Sequence, residues 1–317
     1  MKSIDLDQLT VRSFMPDMDI PPVLSLYLAV EAIDREGKNI TEQALRAQLE
    51  QPGHDPLKDR WLVVSPNDPQ DFIASALVHV TPGGEQAEAN IIVHPAWRRH
   101  GIGSMLLANI IQRAQQLNAK SVQIFAHRDH TAAGAFLRKH AFMPQGAYTE
   151  LRLSASVPLP PVIYPYGYKV RTYAEVLNLS TLTDAMNLSY MTLWGHHEVT
   201  EDEMAGWLKN FNQQGLFLVF SEKGRVVGIS RTEPSPERTS RNGIPTGYID
   251  APGVVPQHRR LDLYQALVLT GVYWLRGQGQ PLIEMESWGD KLEILNMYQQ
   301  LGFKVMRQLV CYQVYIT

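Results

Sequence analysis

The sequence is poor in cysteine and has no long apolar run. Cys311 is the only cysteine among 317 residues, which excludes an internal disulfide and a zinc site built from several cysteines. No stretch of about 18 apolar residues occurs, so no membrane-spanning helix is expected. The first ten residues contain two aspartates and no apolar core, so no signal peptide is expected either. These absences favour a cytoplasmic protein.

Charge of one sign is also lacking. The formal net charge is −3, with 19% charged and 44% apolar residues, a composition typical of globular proteins. Overall charge therefore gives no attraction to nucleic acid or to an anionic membrane. His127 and His130, and the pair His196–His197, have no nearby cysteine or spaced carboxylates to complete a tetrahedral site, so no metal is predicted.

A proline-rich segment at 154–168 divides the chain almost in half. Neither a helix nor a central strand tolerates such a density of proline, and the length suits two domains of about 150 residues. We predict a first domain at 1–155, a linker at 156–166 and a second domain at 167–317. The segment contains Pro158, Pro160, Pro161 and Pro165.

The two halves share a register. Adding 161 to positions in the stretch "VHPAWRRHGIGSMLL" (93–107) aligns them with the second half, and "AFLRKHAF" (135–142) falls on "NMYQQLGF" (296–303) without a gap. This self-similarity predicts two copies of one domain. The aligned pairs are Val93 with Val254, Pro95 with Pro256, Arg98 with Arg259, Arg99 with Arg260, and Leu106 with Leu267.

Each copy is predicted to be a mixed α/β unit. In the first, the segments 60–65, 72–80 and 88–95 have the apolar, β-branched composition of strands. The segment 101–117 has its apolar residues on one helical face and precedes a short buried strand at 121–127. A helix that crosses between two neighbouring strands requires them to be parallel.

The start of that helix is predicted to bind an anion. Gly101 and Gly103 allow the backbone to turn with its N–H groups outward, and the helix adds the positive end of its dipole. Arg98 and Arg99 add charge and Ser104 a hydroxyl, a combination suited to a pyrophosphate. A Walker loop is excluded because no lysine follows the glycines. A dinucleotide fingerprint is excluded because Leu106 occupies the third glycine position.

The pattern V-x-P-x-x-R-R-x-G-x-G, followed by an apolar helix, resembles the acetyl-CoA signature of the GNAT-type N-acetyltransferase superfamily. A second motif of that family, a helix ending in Tyr-x-x-x-Gly-Phe, is matched by Tyr298, Gly302 and Phe303. Its first-half counterpart reads Leu137-x-x-x-Ala141-Phe142. The chain is therefore similar to a tandem member of the superfamily, with one domain in each half.

The resemblance implies a fold class of α/β (α+β): two tandem domains, each a mixed, mostly antiparallel twisted sheet flanked by helices and splayed at its central parallel strands. It implies acetyl-CoA as co-substrate and direct acetyl transfer to a primary amine of a small molecule or peptide, by a monomer or homodimer. The backbone of 91–93 would pair with the pantetheine arm, and the N–H groups of 99–104 would hold the pyrophosphate. The expected cofactor-binding residues are Ile91, Ile92, Val93, Arg98, Arg99, His100, Gly101, Ile102, Gly103, Ser104 and His130.

His130 occupies a position where the family commonly has an asparagine that contacts the cofactor. It either serves that role or is a solvated residue at a helix start. The second half departs from the cofactor pattern, because Asp262 and Tyr264 replace the two glycines. A carboxylate repels a pyrophosphate, and the ring crowds it.

Acid and base candidates divide between the halves. Leu137 cannot donate a proton where the family often has tyrosine, whereas the second half keeps Tyr298 there and carries Glu286 on a strand where some members have a base. In the first half Glu85 and Glu88 are candidate bases, of which at most one faces the cleft. The first half, the second half, or a composite of both could be the catalyst, and we favour the first. A non-catalytic CoA-binding or regulatory protein is the alternative.

Two other segments carry no defined chemistry. The segment 191–208 mixes Trp194 and Trp207 with acidic residues, and either lines an acceptor pocket or packs as helix. The segment 233–245 is predicted to be a polar hairpin loop.

Overall fold

The computed structural model describes residues 6, 9–35, 40–80, 84–194 and 196–316. Contacts divide the chain into two units. The first unit consists of Met1–Gln145 and Leu309–Thr317, and the second of Gly146–Gln308.

The strands are short in the first part of each half and longest at its end. In chain order they are β1 (Val11–Ser13), β2 (Arg60–Val64), β3 (Phe72–Val80), β4 (Gln86–Val93), β5 (Ser121–His127), β6 (Met143–Ser154), β7 (Lys169–Thr172), β8 (Leu216–Phe220), β9 (Val226–Pro234), β10 (Thr246–Asp250), β11 (Gly253–Val254), β12 (Leu282–Trp288) and β13 (Lys304–Tyr315).

The helices alternate with these strands, and within the described part of the chain none has both the length and the apolar character needed to cross a bilayer. In chain order they are α1 (Pro16–Asp34), α2 (Glu42–Leu49), α3 (Pro56–Asp59), α4 (Ile102–Gln116), α5 (Thr131–Lys139), α6 (Tyr173–Val176), α7 (Leu179–Tyr190), α8 (Glu201–Leu208), α9 (Pro236–Asn242), α10 (Leu261–Gly277) and α11 (Leu292–Gln300).

The sheet of the first unit has the order β1-β2-β3-β4-β5-β13. Neighbouring strands are antiparallel except β4 and β5, which are parallel as the crossover by α4 requires. Helix α4 covers one face, where Leu106 and Ile110 are fully buried against β3, β4 and β5. Helix α1 covers the other face through a separate cluster that includes Ile20, Leu62 and Ile92. The apolar stripe predicted for α4 is confirmed.

The second unit repeats this plan. Its sheet has the order β6-β12-β10-β9-β8-β7, with β11 paired to β9. Strands β10 and β12 are parallel and the other pairs are antiparallel. Helix α10 lies in the core as α4 does, with Leu267, the counterpart of Leu106, fully buried. The predicted repetition of a mixed α/β unit is confirmed.

The last strand of each half belongs to the unit of the other half. Residues 309–315 of β13 pair with β5 in the first unit, and residues 148–154 of β6 pair with β12 in the second. Sequence periodicity predicts that these segments are strands, but it does not predict which strand each of them pairs with. The domain boundaries at 155 and 167 stay a prediction, because they mark where the repeat ends rather than which segments pack together.

The segment 233–245 is not the simple loop predicted from its composition. Its middle forms α9, which begins with Ser235 as an N-cap and Pro236 in the first turn, and ends at Gly243 in a left-handed conformation. These are ordinary helix start and stop signals. They are hard to recognise here because the helix has only seven residues and no apolar face.

Candidate active site

The parallel strands of the first unit separate part-way along their length. Their pairing runs from Gln86 with Ser121 to Ala89 with Ile124 and then stops, although β4 continues to Val93 and β5 to His127. In the described part of the chain no strand pairs with the β5-facing edge of β4 beyond Ala89. Ile91, Ile92 and Val93 lie in this stretch, so backbone groups there are available to an extended ligand.

The loop after β4 presents a series of backbone N–H groups. Arg99 and Gly101 both adopt left-handed conformations, with φ of 67° and 88°. The first bonded N–H groups of α4 are those of Ser104 and Met105, which donate to Gly101 O at 3.0 and 3.1 Å. Among the described residues nothing accepts a hydrogen bond from the N–H groups of residues 99–103. Such a run of amides at a helix N-terminus is suited to binding an anion.

Arg98 is engaged in the fold rather than directed at a ligand. Its Nη1 and Nη2 donate to the two carboxylate oxygens of Asp34 at 2.7 and 2.6 Å, and its Nε donates to Val93 O at 3.0 Å. The side chain therefore ties the end of α1 to the end of β4, and its charge is balanced by a carboxylate that is only 10% exposed. Arg99 is exposed and, within the described ranges, has no ion pair.

The other predicted cofactor residues have mixed surroundings. Ile102 is 1% exposed and packs in the core. The hydroxyl of Ser104 lies 3.0 Å from His140 Nε2, so both polar groups of Ser104 already have partners. His100 is partly buried, and its Nδ1 has no hydrogen-bond partner among the described residues. His130 precedes α5 and lines the cavity described next.

A cavity of about 520 Å³ joins the separated strands to the N–H loop. Its walls come from α1, β4, β5, the loop and α5, all in the first unit. Leu137 lies on this wall, where the family pattern expects a tyrosine. The lining residues are Tyr27, Val30, Glu31, Asp34, Asn90, Ile91, Ile92, Val93, Arg98, Arg99, Gly101, Gly103, Ser104, Ile124, Phe125, Ala126, His130, Ala132, Ala133, Ala135, Phe136, Leu137 and Lys139.

The first-half base candidates are not among the residues that line this cavity. Glu85 forms an ion pair with Lys120 at the far end of β4. Glu88 is exposed and pairs across the sheet with His79. It shares a strand face with Asn90, but it is not among the residues that line the cavity.

The corresponding loop of the second unit is closed by its own side chains. Arg259 repeats the role of Arg98, since its Nε donates to Val254 O at 2.9 Å, but its Nη1 donates to the hydroxyl of Thr192 rather than to a carboxylate. Arg260 donates to both oxygens of Asp262 at 2.7 and 2.6 Å. The carboxylate that replaces Gly101 thus neutralises the neighbouring cation.

Three tyrosines fill the region that corresponds to the cavity. Tyr264 and Tyr298 are 2% and 0% exposed. A Cβ on Gly253 would lie 2.6 Å from the ring of Tyr190, whose hydroxyl donates to Ala251 O at 2.9 Å. Pairing of β10 with β12 ends at Asp250, the counterpart of Ala89, and among the described residues β11, the counterpart of 92–93, pairs only with β9. The parallel strands therefore separate in both units, but in the second the opening is occupied by tyrosine side chains.

The predicted acid and base of the second unit are both bonded within it. The hydroxyl of Tyr298 donates to Asp290 Oδ2 at 3.5 Å, and Asp290 also accepts from Ser287 Oγ at 2.7 Å. Burial of the Asp290 carboxyl raises its pKa to about 6. Glu286 forms an ion pair with Arg238 of α9 and accepts from the hydroxyl of Tyr248 at 3.4 Å.

Sequence reasoning missed several residues that shape these sites. Tyr27, Glu31 and Asp34 reach the cavity from α1, a helix separated from the N–H loop by more than sixty residues. In the second unit, Tyr190 packs against Gly253 and Arg238 binds Glu286. Both residues lie in segments without a recognisable motif. Only the helical spacing of 27, 31 and 34, which places them on one face, was visible in the sequence.

Residues 28–142 and 179–303 each match the acetyltransferase (GNAT) family. A mycothiol acetyltransferase of Saccharomonospora viridis is 30% identical over 233 residues, which span 71% of this chain and 73% of that protein. One from Acidothermus cellulolyticus is 25% identical over 293 residues, spanning 87% and 86%.

Among solved structures, a GCN5-related N-acetyltransferase from Sphaerobacter thermophilus aligns with a TM-score of 0.69 and 20% identity, covering 98% of this chain and 96% of that one. A tandem GNAT protein from the clavulanic acid biosynthesis pathway aligns with a TM-score of 0.58 and 17% identity, covering 97% and 98%. At these identities the two structures establish the fold.

Proposed function

Because this chain belongs to the acetyltransferase (GNAT) family and moves an acetyl group from acetyl-CoA to an amine, we propose that the first unit alone binds acetyl-CoA and carries the reaction. The observation that supports this assignment is the opening between β4 and β5, with free amides at its mouth. In the second unit the corresponding opening is occupied by Tyr190, Tyr264 and Tyr298, and Asp262 replaces Gly101. In this proposal the second unit is not the catalyst.

The residues present fit an extended thioester carrier. The backbone of Ile91–Val93 would bond the amides of the pantetheine arm, as a neighbouring strand would. The N–H groups of Arg99–Gly103 would donate hydrogen bonds to the diphosphate. Gly101 allows this turn because its φ of 88° is a left-handed conformation that glycine adopts most easily. Arg99 adds positive charge at the exposed side. Arg98 holds the loop in place through Asp34 instead of contacting the phosphates.

The chemistry is direct transfer between two bound molecules. Bringing the amine against the thioester carbonyl supplies most of the rate enhancement, and a base that takes the ammonium proton supplies much of the rest. Glu88 is the sequence-based candidate for that base and remains a prediction. Tyr298 and Glu286 remain candidates only if the second unit opens, because each is bonded to neighbours in its present position.

The acceptor is proposed to be a primary amine on a small metabolite, an aminoglycoside-like compound or a peptide N-terminus. The relatives that align over most of their length are named mycothiol acetyltransferases, so small thiol-linked amines belong in the set to be tested. The proposal includes a cytoplasmic location, which the single cysteine supports.

The test combines stoichiometry with turnover. Titration calorimetry with acetyl-CoA should give one site per chain, and free thiol should be released when glucosamine, kanamycin, cysteamine or alanyl-glycine is added. Two sites per chain, or one site that survives disruption of the first-unit loop, would contradict the assignment to the first unit. One site without turnover on any amine would favour the alternative of a CoA-binding regulatory protein, for which Leu137 in the cavity wall is the supporting observation.

A further inference from the structure

Helix α1 presents a stripe of side chains to the cavity. Tyr27, Val30, Glu31 and Asp34 all line it, and their spacing of three, four and seven residues places them on one helical face. This stripe lies opposite the separated end of β4. The cavity therefore has a wall made by α1 in addition to the loop and strands that receive the carrier.

The two ends of the stripe can be placed along β4. Asp34 is level with the N–H loop, because it binds Arg98. Tyr27 lies near Arg60: burial raises the pKa of the Tyr27 phenol, and the positive charge of Arg60 opposes that rise. Arg60 pairs with Leu77, which in turn pairs with Asn90. Asn90 is the first residue of β4 beyond the last β4–β5 pair. Tyr27 is thus at the split and Asp34 at the diphosphate end.

Glu31 lies one turn from Tyr27, about 6 Å along the helix axis. Side chains on an α-helix lean toward its N-terminus, so the carboxylate of Glu31 leans toward Tyr27 and the split. A carrier whose diphosphate is held at 99–103 and whose arm follows Ile91–Val93 places its thioester at that same split. The carboxylate and the reacting carbonyl therefore meet in one part of the cavity.

The two carboxylates of the cavity have different tasks. Asp34 is held by both terminal nitrogens of Arg98, so its negative charge is compensated within the fold. Glu31 lies about one turn nearer the N-terminus of α1, on the side of the split. Among the residues that line the cavity it is the carboxylate placed beside the reacting end rather than at the loop.

We propose that Glu31 receives the ammonium group of the acceptor and takes one proton from it, a role that rests on the proposed function of the first unit. The neutral nitrogen then forms a bond to the thioester carbon, and the carbon–sulfur bond breaks. The second nitrogen proton passes to the departing sulfur, directly or through water, and Glu31 releases its proton to solvent. One ammonium and one thioester thus give one amide, one thiol and one proton.

The experiment compares a protonated acceptor with one that needs no base. The best amine among glucosamine, kanamycin, cysteamine and alanyl-glycine serves as the first, and hydroxylamine, which is unprotonated at neutral pH, as the second. Glu31→Gln should lower kcat for the protonated amine at least about a hundredfold, the usual contribution of a general base. It should change the hydroxylamine rate less than about threefold, and leave the Kd of acetyl-CoA unchanged.

Two matched variants distinguish this role from its rivals. Glu85→Gln removes an exposed carboxylate from the far end of β4 and should behave like the parent, whereas Glu31→Asp should recover part of the lost rate. Parent-like turnover of the protonated amine by Glu31→Gln, an equal loss with both acceptors, or the predicted pattern in Glu88→Gln instead would overturn the proposal. Absence of turnover by the parent chain on every amine and on hydroxylamine would overturn the proposed function as well, so the two failures are distinguishable.

Discussion

The two units share an arginine in the loop after their central strand, but not the glycines that follow this arginine. Arg98 and Arg259 each donate Nε to the carbonyl five residues earlier, and the terminal nitrogens of each bind groups at the end of a helix, α1 in the first unit and α7 in the second. The loop beyond them differs, since Gly101 becomes Asp262. The arginine contacts are common to both units and hold the loop, whereas the glycine bend is found in the first unit, where we propose that the carrier binds.

The largest effect is expected when the first-unit loop is given the aspartate of the second-unit loop. Gly101→Asp should weaken acetyl-CoA binding at least about a thousandfold, or about 4 kcal/mol, measured by titration calorimetry. The added carboxylate brings negative charge to the loop proposed to bind the diphosphate, and a φ of 88° is less favourable for aspartate than for glycine. The terminal methyl of Leu6, 2.9 Å from the new Cβ, can move and adds little.

Gly224→Asp is the matched control for this variant. Gly224 also has a positive φ, of 72°, and open space where a Cβ would be, but it lies in the turn between β8 and β9. Parent-like binding by Gly224→Asp shows that backbone strain alone is not responsible. Parent-like binding by Gly101→Asp would mean that the first-unit loop is not the carrier site.

Asp290 gives the second unit a dependence of stability on pH, because its carboxyl accepts hydrogen bonds from the hydroxyls of Ser287 and Tyr298 inside that unit. Its pKa is raised by burial from an ordinary 3.8 to about 6, so the folded state binds the proton more tightly than the unfolded state. This group therefore stabilises the fold fully below about pH 4, and the stabilisation is lost as pH rises through about 6. The difference corresponds to about 3 kcal/mol.

The measurement is the free energy of unfolding of Asp290→Asn relative to the parent, from urea titrations between about pH 4 and about pH 7.5. The variant should gain stability on the parent as pH rises through this range. Contributions of other groups cancel in the difference. A difference that stays constant with pH would show that Asp290 is not held in a proton-retaining environment.

The equivalent arginines Arg98 and Arg259 should differ by a smaller amount in their contribution to stability. Arg98→Ala leaves the mostly buried Asp34 carboxylate without its partner and should cost about 2–3 kcal/mol of stability. Arg259→Ala removes bonds to a hydroxyl and to backbone carbonyls and should cost about 1–2 kcal/mol. Thermal unfolding of both variants checks the order. The reverse order would mean that the ion pair of the first unit adds nothing beyond neutral hydrogen bonds.

The smallest expected effect is on turnover by Tyr298→Phe. Tyr298 occupies the family's acid position, but in the unit whose opening is occupied by tyrosines, so kcat from thiol release should change less than about threefold, a negligible barrier difference. Tyr164→Phe is the control, since Tyr164 is another tyrosine of the second unit with a bonded hydroxyl. A hundredfold loss confined to Tyr298→Phe would move the chemistry to the second unit.

Local sequence was sufficient for the loop, the helix that follows it and the duplication. The glycines at 101 and 103 and the apolar spacing of α4 are properties of contiguous residues, and the structure confirms the helix and its buried face. The acid and base assignments were less secure, because a titratable residue acquires its role from groups that pack against it. The sequence predicts Glu286 as a candidate base, but Glu286 forms an ion pair with Arg238. Arg238 lies in α9, a helix that the sequence does not predict.

Patterns along contiguous residues were enough to show that this chain repeats one α/β unit, that a glycine bend follows one central strand, and that the second copy lacks it. Four other features came from the packed fold: Arg98 is neutralised by Asp34, the end strands are exchanged between the units, Tyr190 fills the second opening, and Glu31 lines the first. Each of these depends on residues dozens to more than a hundred positions apart. Pairing at that distance is set by packing and charge in three dimensions, which no local pattern encodes.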